Sequence, residues 1–516
     1  MARHIMKKTR LALLAAMGLS GLTVGFGCLA ADAHGQKPQP ADESPPAAIT
    51  QHTVKMGSQT IHYTAVASKI ILRDDANRPI ASMSFTAYTE DGVPQEQRPV
   101  TFIWGGGPGS TSSGLQVVGF GPKLVTTTDA AHTPPAPYKI QDNPYSLLNV
   151  TDLVYIEEVD TGFGRLLNGS KISQFAGLDE DGQAFTQAIV RYLDIYNRWN
   201  SPKYILGNSY GTTRDAVVAH DLEEAGADLK GVVLISTVLN FQTLEFSPGN
   251  DLPYVMFLPT YAAIAHYHHA LAADLQAEPL EEFLGKVQTF ATGEYAHLLM
   301  EGDDASAAEK ESVASKLAQY TGLSEQYIRY SNFRISQPFF RKQLLLDRDQ
   351  VVGRTDARFL GMDYDQITGN AEYDPLDEAI GGPYTTAMNY LLRNFLHYDN
   401  GTDLFRSSCY GVCRWDWHRL NERHDYGFNQ GFADVSVDLR QAMIGNPQLK
   451  LFVSCGYYDL ATPYFAAIYT YAHLDIGDLR KNITMKCYRS GHVSYLEPDT
   501  HARMYRDLEA FYHQGP

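Results

Sequence analysis

Apolar and polar residues alternate from Val54 to Glu90 in two runs broken at Asp74-Asp75-Ala76-Asn77, the pattern of a hairpin with one buried face. Pro99 to Trp104 and Asp152 to Ile156 are shorter and almost wholly apolar, as buried parallel strands are. From Phe185 the spacing changes, and Ala188, Ile189, Tyr192, Leu193 and Tyr196 fall on one stripe of a helix. Lys203 to Leu206 and Gly231 to Ile235 return to strand. After a long interval Leu449 to Val453 and Ile483 to Cys487 do so again, and a helix bearing Ala502, Tyr505, Leu508 and Tyr512 closes the chain. Strands alternating with helices predict an α/β fold with a mostly parallel central sheet flanked by helices. The stretch from about Asn240 to Val435 breaks this rhythm and is helical and aromatic-rich. It is expected to be a cap inserted at 241–435 over a catalytic α/β domain of 51–240 and 436–516.

Length and charge narrow the picture. A chain of 516 residues is too long for one small core, in keeping with a large domain carrying an insertion. A net charge of −17 argues against nucleic acid as a partner, because phosphate binding needs a basic face. Arg3, Lys7, Lys8 and Arg10 precede an apolar run from Leu11, and Ala31-Asp32-Ala33 fits a cleavage site, so residues 1–33 are expected to be a secretory signal peptide. The alternatives are an uncleaved membrane anchor and lipidation at Cys28. Cleavage leaves no stable membrane insertion and a mature charge of −20. Residues 34–50 are Pro-rich and are expected to be a disordered lead-in. The protein is thus expected to be secreted or periplasmic. Four cysteines then remain in an oxidising compartment. Cys455 and Cys487 end neighbouring apolar strands, and Cys409 lies close to Cys413. Pairing within each set is one reading, and buried free thiols are the other.

The candidate chemistry centres on Tyr204-Ile205-Leu206-Gly207-Asn208-Ser209-Tyr210-Gly211, an apolar run ending in Gly-x-Ser-x-Gly, followed by a helical pattern from Thr212 to Leu222. This is the form of a nucleophile elbow, in which a strand turns sharply into a helix and holds a serine hydroxyl clear of the backbone. Trp104-Gly105-Gly106-Gly107-Pro108-Gly109-Ser110 follows another strand. No Gly-Lys-Ser/Thr accompanies it, which argues against a phosphate loop and leaves a candidate donor of a backbone N–H to an oxyanion, with a merely structural tight turn as the alternative. Serine needs a base oriented by a carboxylate. Asp459 follows the penultimate strand and His492 the last one, giving the order Ser209, Asp459, His492. Both loops leave the carboxyl ends of strands, where ligands bind in such sheets.

With these segments, Thr161-Gly162-Phe163, Tyr457-Tyr458-Asp459-Leu460-Ala461-Thr462-Pro463, Gly491-His492 and cap segments such as Leu258-Pro259-Thr260-Tyr261, the chain resembles the serine carboxypeptidase family, in particular its secreted bacterial branch. The resemblance implies an α/β-hydrolase fold, Ser209, Asp459 and His492 as catalytic triad, Gly107 and Tyr210 as oxyanion-hole donors, and no cofactor or metal. Gly105, Gly106 and Asn208 occupy the substrate-binding positions. The family has asparagine and glutamate where this chain has Gly105 and Asn208, and a second glutamate where it has Gly119. Those family residues hold the substrate's terminal carboxylate. Charged hydrogen bonds are worth roughly 1.5–3 kcal/mol each, so their loss bears on substrate choice while leaving acyl transfer intact.

Two enzyme readings follow: a carboxypeptidase acting on peptides with other groups holding the carboxylate, or an esterase or acyltransferase on small acyl substrates. A non-catalytic binding protein is the third reading, and the oligomeric state is open. Asn208, Arg214, Lys123 and Arg165 are the candidate replacements at the carboxylate, with a surface or helix-stabilising role as the alternative for each basic residue. Without paired glutamates sharing a proton, activity is expected to rise as His492 becomes neutral and to persist to neutral or mildly basic pH. The Glu157-Glu158-Asp160 cluster is expected to be a solvated loop rather than a paired-acid site. His266, His268 and His269, read on one cap helix, are expected to pack rather than bind metal.

Overall fold

The computed structural model describes residues 47–398, 404–409, 414–419 and 431–514. The expected signal segment, Cys28, most of the lead-in and Cys413 lie outside the described residues. Ten strands hydrogen-bond into one sheet. Nine form its continuous path: β1 (Ala48–Met56), β2 (Gln59–Arg73), β3 (Pro79–Glu90), β4 (Val100–Trp104), β5 (Asp152–Ile156), β6 (Lys203–Asn208), β7 (Gly231–Ile235), β8 (Lys450–Gly456) and β9 (Ile483–Tyr488). Their spatial order is β1-β2-β3-β5-β4-β6-β7-β8-β9, with the short strand Arg165–Leu166 beside β3. The pairs from β1 to β5 are antiparallel, and those from β5 through β4 to β9 are parallel.

The expected hairpin is present as β2 and β3, but the first run is longer and folds back once more. Gly57, with φ +60°, turns β1 onto β2. Because β1 begins at Ala48, the expected disordered lead-in of 34–50 is corrected at its end: Ala48, Ile49 and Thr50 are paired with Ala67, Val66 and Ala65.

Alternation along the parallel strands sends side chains to two cores. Leu206, Val233 and Phe452 pack with Leu508 and Phe511 of the closing helix Pro498–Tyr512. Ile205, Val232 and Val453 pack on the opposite face with Phe185 of α1 (Leu178–Ile195), Val217 of α2 (Tyr210–Glu224) and Leu439 of Ser436–Gly445. The insertion between β7 and β8 has its own core, in which Ile264 of α3 (Leu252–Tyr267) meets Phe283, Leu317 and Phe340. That core continues through Tyr458, Leu460 and Tyr464, so the cap is packed onto the loop after β8. Another cap helix, α4 (Pro375–Asn389), joins the first sheet core through Leu376 and Ile380. No helix among the described residues is long and apolar enough to cross a membrane.

Candidate active site

Trp104 is paired with Gly207, Ile235 with both Asn208 and Ser454, and Cys455 with Cys487. The parallel register therefore brings the loops after β4, β6, β8 and β9 to one edge of the sheet. Asn208 ends β6 and Tyr210 begins α2, leaving Ser209 alone at the turn with φ 61° and ψ −130°. Side chains rarely adopt that backbone, and strain of this kind costs about 1–3 kcal/mol. The turn is pinned by Ser209 N–H donating to Ile235 O (2.9 Å) and Thr212 Oγ1 donating to Ser209 O (2.7 Å).

Glycines around the turn are steric requirements. A Cβ on Gly207 would lie 2.3 Å from Gly211 O, and one on Gly211 would lie 2.7 Å from Gly105 O. At Gly106 it would meet Asn208 O at 2.6 Å and Ser209 Cβ at 2.7 Å, so the glycine-rich loop rests directly on the elbow. Gly107 follows with φ +109°. Among the described residues neither Gly107 N–H nor Tyr210 N–H donates to a protein acceptor.

Buried charge holds this loop. Glu158 accepts from Gly109 N–H at 2.9 Å and from Arg214 Nη2 at 2.5 Å. Arg214 also donates to Asp181 (2.7 Å) and to Gly105 O (2.9 Å). Glu157 accepts from both the N–H and the Oγ of Ser112, each at 2.7 Å. Burial pushes the Glu157 carboxyl up to about 7, against the lowering effect of Ser112. Burial also raises Glu158, with Asp181 adding repulsion, while the Arg214 guanidinium opposes both and favours the charged form. The expectation of a solvated anion run is corrected: Glu157 and Glu158 are buried struts under the loop. Arg214 is corrected as well. At 1% exposure and with its guanidinium committed to Asp181, Glu158 and Gly105, it cannot meet a substrate.

Other candidates are likewise engaged. Lys123 Nζ donates to Asp142 at 2.7 Å, and Arg165 to the carbonyls of Gly162 (3.1 Å) and Leu404 (2.6 Å). Asn208 is 8% exposed, and its amide donates to Ile235 O at 3.2 Å. A Cβ at Gly105 would sit 2.2 Å from Thr111 O, which leaves no room for a longer side chain. At Gly119 it would face the Tyr495 ring at 3.4 Å, so an aromatic ring occupies the adjoining space.

On the loops after β8 and β9, His492 Nδ1 lies 2.7 Å from Asp459 Oδ2. Asp459 is wholly buried, and its Oδ1 accepts from Ala461 N–H (2.7 Å) and Thr462 N–H (2.9 Å). Thr462 Oγ1 donates to Asp459 Oδ2 at 2.6 Å. Sequence reasoning quoted Thr462 without a role, although an aspartate folding back on N–H groups two and three residues on is a recognisable local pattern. Ser236 Oγ donates to His492 O at 2.6 Å. The histidine loop and the elbow thus hang from consecutive residues, Ser236 and Ile235, at the end of β7. Ser209 Oγ and His492 Nε2 do not hydrogen-bond to each other in this arrangement. Cys455 and Cys487 form a disulfide between β8 and β9, the first of the two readings left open for this pair.

The expected histidine cluster is divided by its backbone. Helix α3 ends at Tyr267, and His269 turns away with φ 54°. The His266 ring meets Glu278 O and the His268 ring meets Ala357 O, so these two rings have separate main-chain partners.

The sheet order, the elbow and the helices on both faces define an α/β-hydrolase fold. The sequence pattern of the serine carboxypeptidase family matches residues 79–337, and the chain belongs to that family. It is accordingly a serine hydrolase. The match includes the glycine-rich loop and Ser209 and ends before Asp459 and His492. No curated protein matches the chain. Among solved structures, Kex1Δp, a prohormone-processing carboxypeptidase from Saccharomyces cerevisiae, is similar at 14% identity with a TM-score of 0.53. That alignment covers 87% of this chain and 91% of the yeast chain, and it shows the shared fold. A proline iminopeptidase from Mycobacterium smegmatis aligns at 12% identity and TM-score 0.35, covering 90% of this chain and 98% of that one. A putative aryl esterase from Burkholderia cenocepacia aligns at 13% and 0.32, covering 86% and 97%.

Proposed function

We propose that the protein is an exported peptidase of the carboxypeptidase type that works through an acyl-enzyme on Ser209. In this reading Ser209 Oγ attacks the scissile carbonyl while His492 Nε2 takes the hydroxyl proton. Asp459 accepts the Nδ1 proton's hydrogen bond and stabilises the imidazolium. The N–H groups of Gly107 and Tyr210 receive the oxyanion. Collapse breaks the C–N bond, and His492 returns its proton to the departing amine. Water then attacks the acyl-enzyme with His492 again as base, releasing the acid and restoring Ser209. The observation that carries the reading is the 2.7 Å contact between His492 Nδ1 and a wholly buried Asp459, on loops that share the elbow's sheet edge.

Tyr210 stands edge-on to Trp415 and Trp417, and Phe241 packs against Trp417, which supports an apolar or aromatic acyl group beside the serine. Export is supported by the basic-then-apolar start of the chain and by the Cys455–Cys487 bond, which oxidising compartments favour.

Closure of the Gly105 position favours a second reading, an esterase or acyltransferase on the same residues. The test is a side-by-side assay on free peptides, C-terminally amidated peptides and simple esters, with fluorophosphonate labelling of Ser209. Trimming of free peptides alone supports the first reading. Indifference to the terminus supports the second, and failure to label Ser209 removes both.

A further inference from the structure

The cap holds a cavity of about 470 Å³, a volume in the range of small-molecule sites. It opens between two short helices, Glu325–Tyr330 and Gln337–Gln343, and the loop at 366–369. Neither the glycine-rich loop nor Ser209, Asp459 or His492 lines it. Its walls are set by contacts within the cap. Lys342, 4% exposed, ties the loop to the second helix: its Nζ lies 2.8 Å from Asp363 Oδ2 and donates to Thr368 Oγ1 at 2.9 Å and to the carbonyl of Asp365. Gly369 is pressed against Phe339, so that a Cβ there would lie 2.6 Å from the ring. Tyr330 is steadied by Gln326, whose amide donates to its hydroxyl at 3.2 Å.

The lining selects for a neutral ligand. Two cations reach the cavity and both are matched: Asp251 holds Arg334 in fork fashion at 2.6 and 2.7 Å, and Asp363 faces Lys342. No carboxylate lines the cavity, so an ionic ligand would shed water without gaining an unpaired counter-charge. The lining also selects for an apolar face. Phe339 is 51% exposed, Tyr330 78% and Ile367 94%, and large apolar groups left open together mark a binding surface. A ligand that is apolar throughout fits poorly, however. Gln366 Oε1 in the wall is buried and accepts no hydrogen bond among the described residues, and an unpaired buried acceptor is costly until a donor reaches it. Gln343 adds a second amide to the lining. A pyranose meets these demands in one rigid unit, with C–H bonds on its face for the aromatic rings and hydroxyls at its rim for the amides. A peptide segment offers the same groups only after a flexible chain has been ordered.

We propose that this cavity of the cap binds a neutral sugar, its apolar face packed on Phe339 and Tyr330 and a hydroxyl donating to Gln366 Oε1. The site is independent of the serine chemistry and is tested without turnover. The full chain is titrated by calorimetry with cellobiose, maltose and N,N′-diacetylchitobiose. At least one should bind with a Kd of about 0.1–1 mM, as expected of a small open site. Phe339→Ala and Tyr330→Ala should each weaken that binding about 3- to 10-fold, the range for one aromatic contact. Gln366→Leu, similar in size but without the acceptor, should weaken it by a similar factor. Tyr364→Ala removes an 84% exposed ring that does not line the cavity and should leave binding unchanged. The thermal unfolding midpoint of each variant shows that its fold is kept, which the exposure of Phe339 and Tyr330 leads us to expect. Absence of binding by all three disaccharides overturns the proposal, as does binding undiminished in both Phe339→Ala and Tyr330→Ala. Tighter binding of p-cresol than of any of the sugars, insensitive to Gln366→Leu, also overturns it, because the cavity would then be an apolar site.

Discussion

The hydroxyl of Thr462 donates to Asp459 Oδ2 at 2.6 Å and stands 3.2 Å from His492 Nδ1, so one side chain braces both members of the acid–imidazole pair. Its oxygen also lies 3.1 Å from Ser236 O, at the end of β7, a competing acceptor for the same proton. Thr462→Val keeps the shape and removes the hydroxyl. Loss of a hydrogen bond to a charged group is worth about 1.5–3 kcal/mol, so kcat should fall about tenfold or more. KM should move little, because Thr462 acts through Asp459. An unchanged kcat would show that the brace is idle.

Arg214 neutralises two buried carboxylates at once. Arg214→Met should leave Glu158 and Asp181 without a counter-charge, and breaking such a pair typically costs about 3–5 kcal/mol. Urea unfolding should show a loss of that size, with activity falling because Glu158 also holds Gly109. A variant as stable as the parent would refute the account of the loop given above.

Glu157 makes a prediction with a definite sign. Its carboxyl is raised from 4.5 to about 7 by burial. A raised carboxyl contributes stability that is complete below about pH 4.5 and is lost as pH climbs through about 7. Each unit corresponds to about 1.4 kcal/mol. Relative to Glu157→Gln, the parent should therefore lose roughly 3 kcal/mol between pH 4.5 and 8, measured by denaturant titration at each pH. Parallel curves for the two proteins would contradict this.

The Cys455–Cys487 bond closes a segment of 32 residues. Constraint of the unfolded chain over that length gives about 3–4 kcal/mol. Replacing both cysteines with alanine should lower the unfolding midpoint accordingly. Since Asp459 and His492 follow the two cysteines by only a few residues, reduction with dithiothreitol should cost activity before the helices melt, as seen by comparing turnover with circular dichroism.

Periodicity made the sheet legible. Asp152–Ile156 and Gly231–Ile235 lie where alternation and apolar runs predict them, and the elbow, the glycine-rich loop and the two downstream loops meet at one edge. What one-dimensional reading lacked was burial. Arg214, Lys123 and Arg165 are cations of equal promise in a string of letters, and only packing reveals that each is engaged. Glu157 and Glu158 look like a solvated run because loops usually are, yet the adjoining glycines leave backbone N–H groups that buried carboxylates satisfy. The segment at Arg354 and Thr355 carries no motif, yet its carbonyls accept from the Leu460 and His492 N–H groups, contacts across more than 100 residues that no local pattern encodes. The strand Ala48–Met56 is read only from Val54 and not as separate, because its first six residues are half-buried or exposed and Gly57-Ser58 is a weak turn signal.

The positive φ of Ser209 sets reactivity and robustness against each other at a single residue. Glycine visits that backbone freely, whereas any side chain there is held under tension by Ile235, Thr212 and the neighbouring glycines. Ser209→Gly should accordingly give a protein with no turnover and a higher melting temperature than Ser209→Ala, the gap reporting directly how much the fold gives up to hold its hydroxyl at the sheet edge.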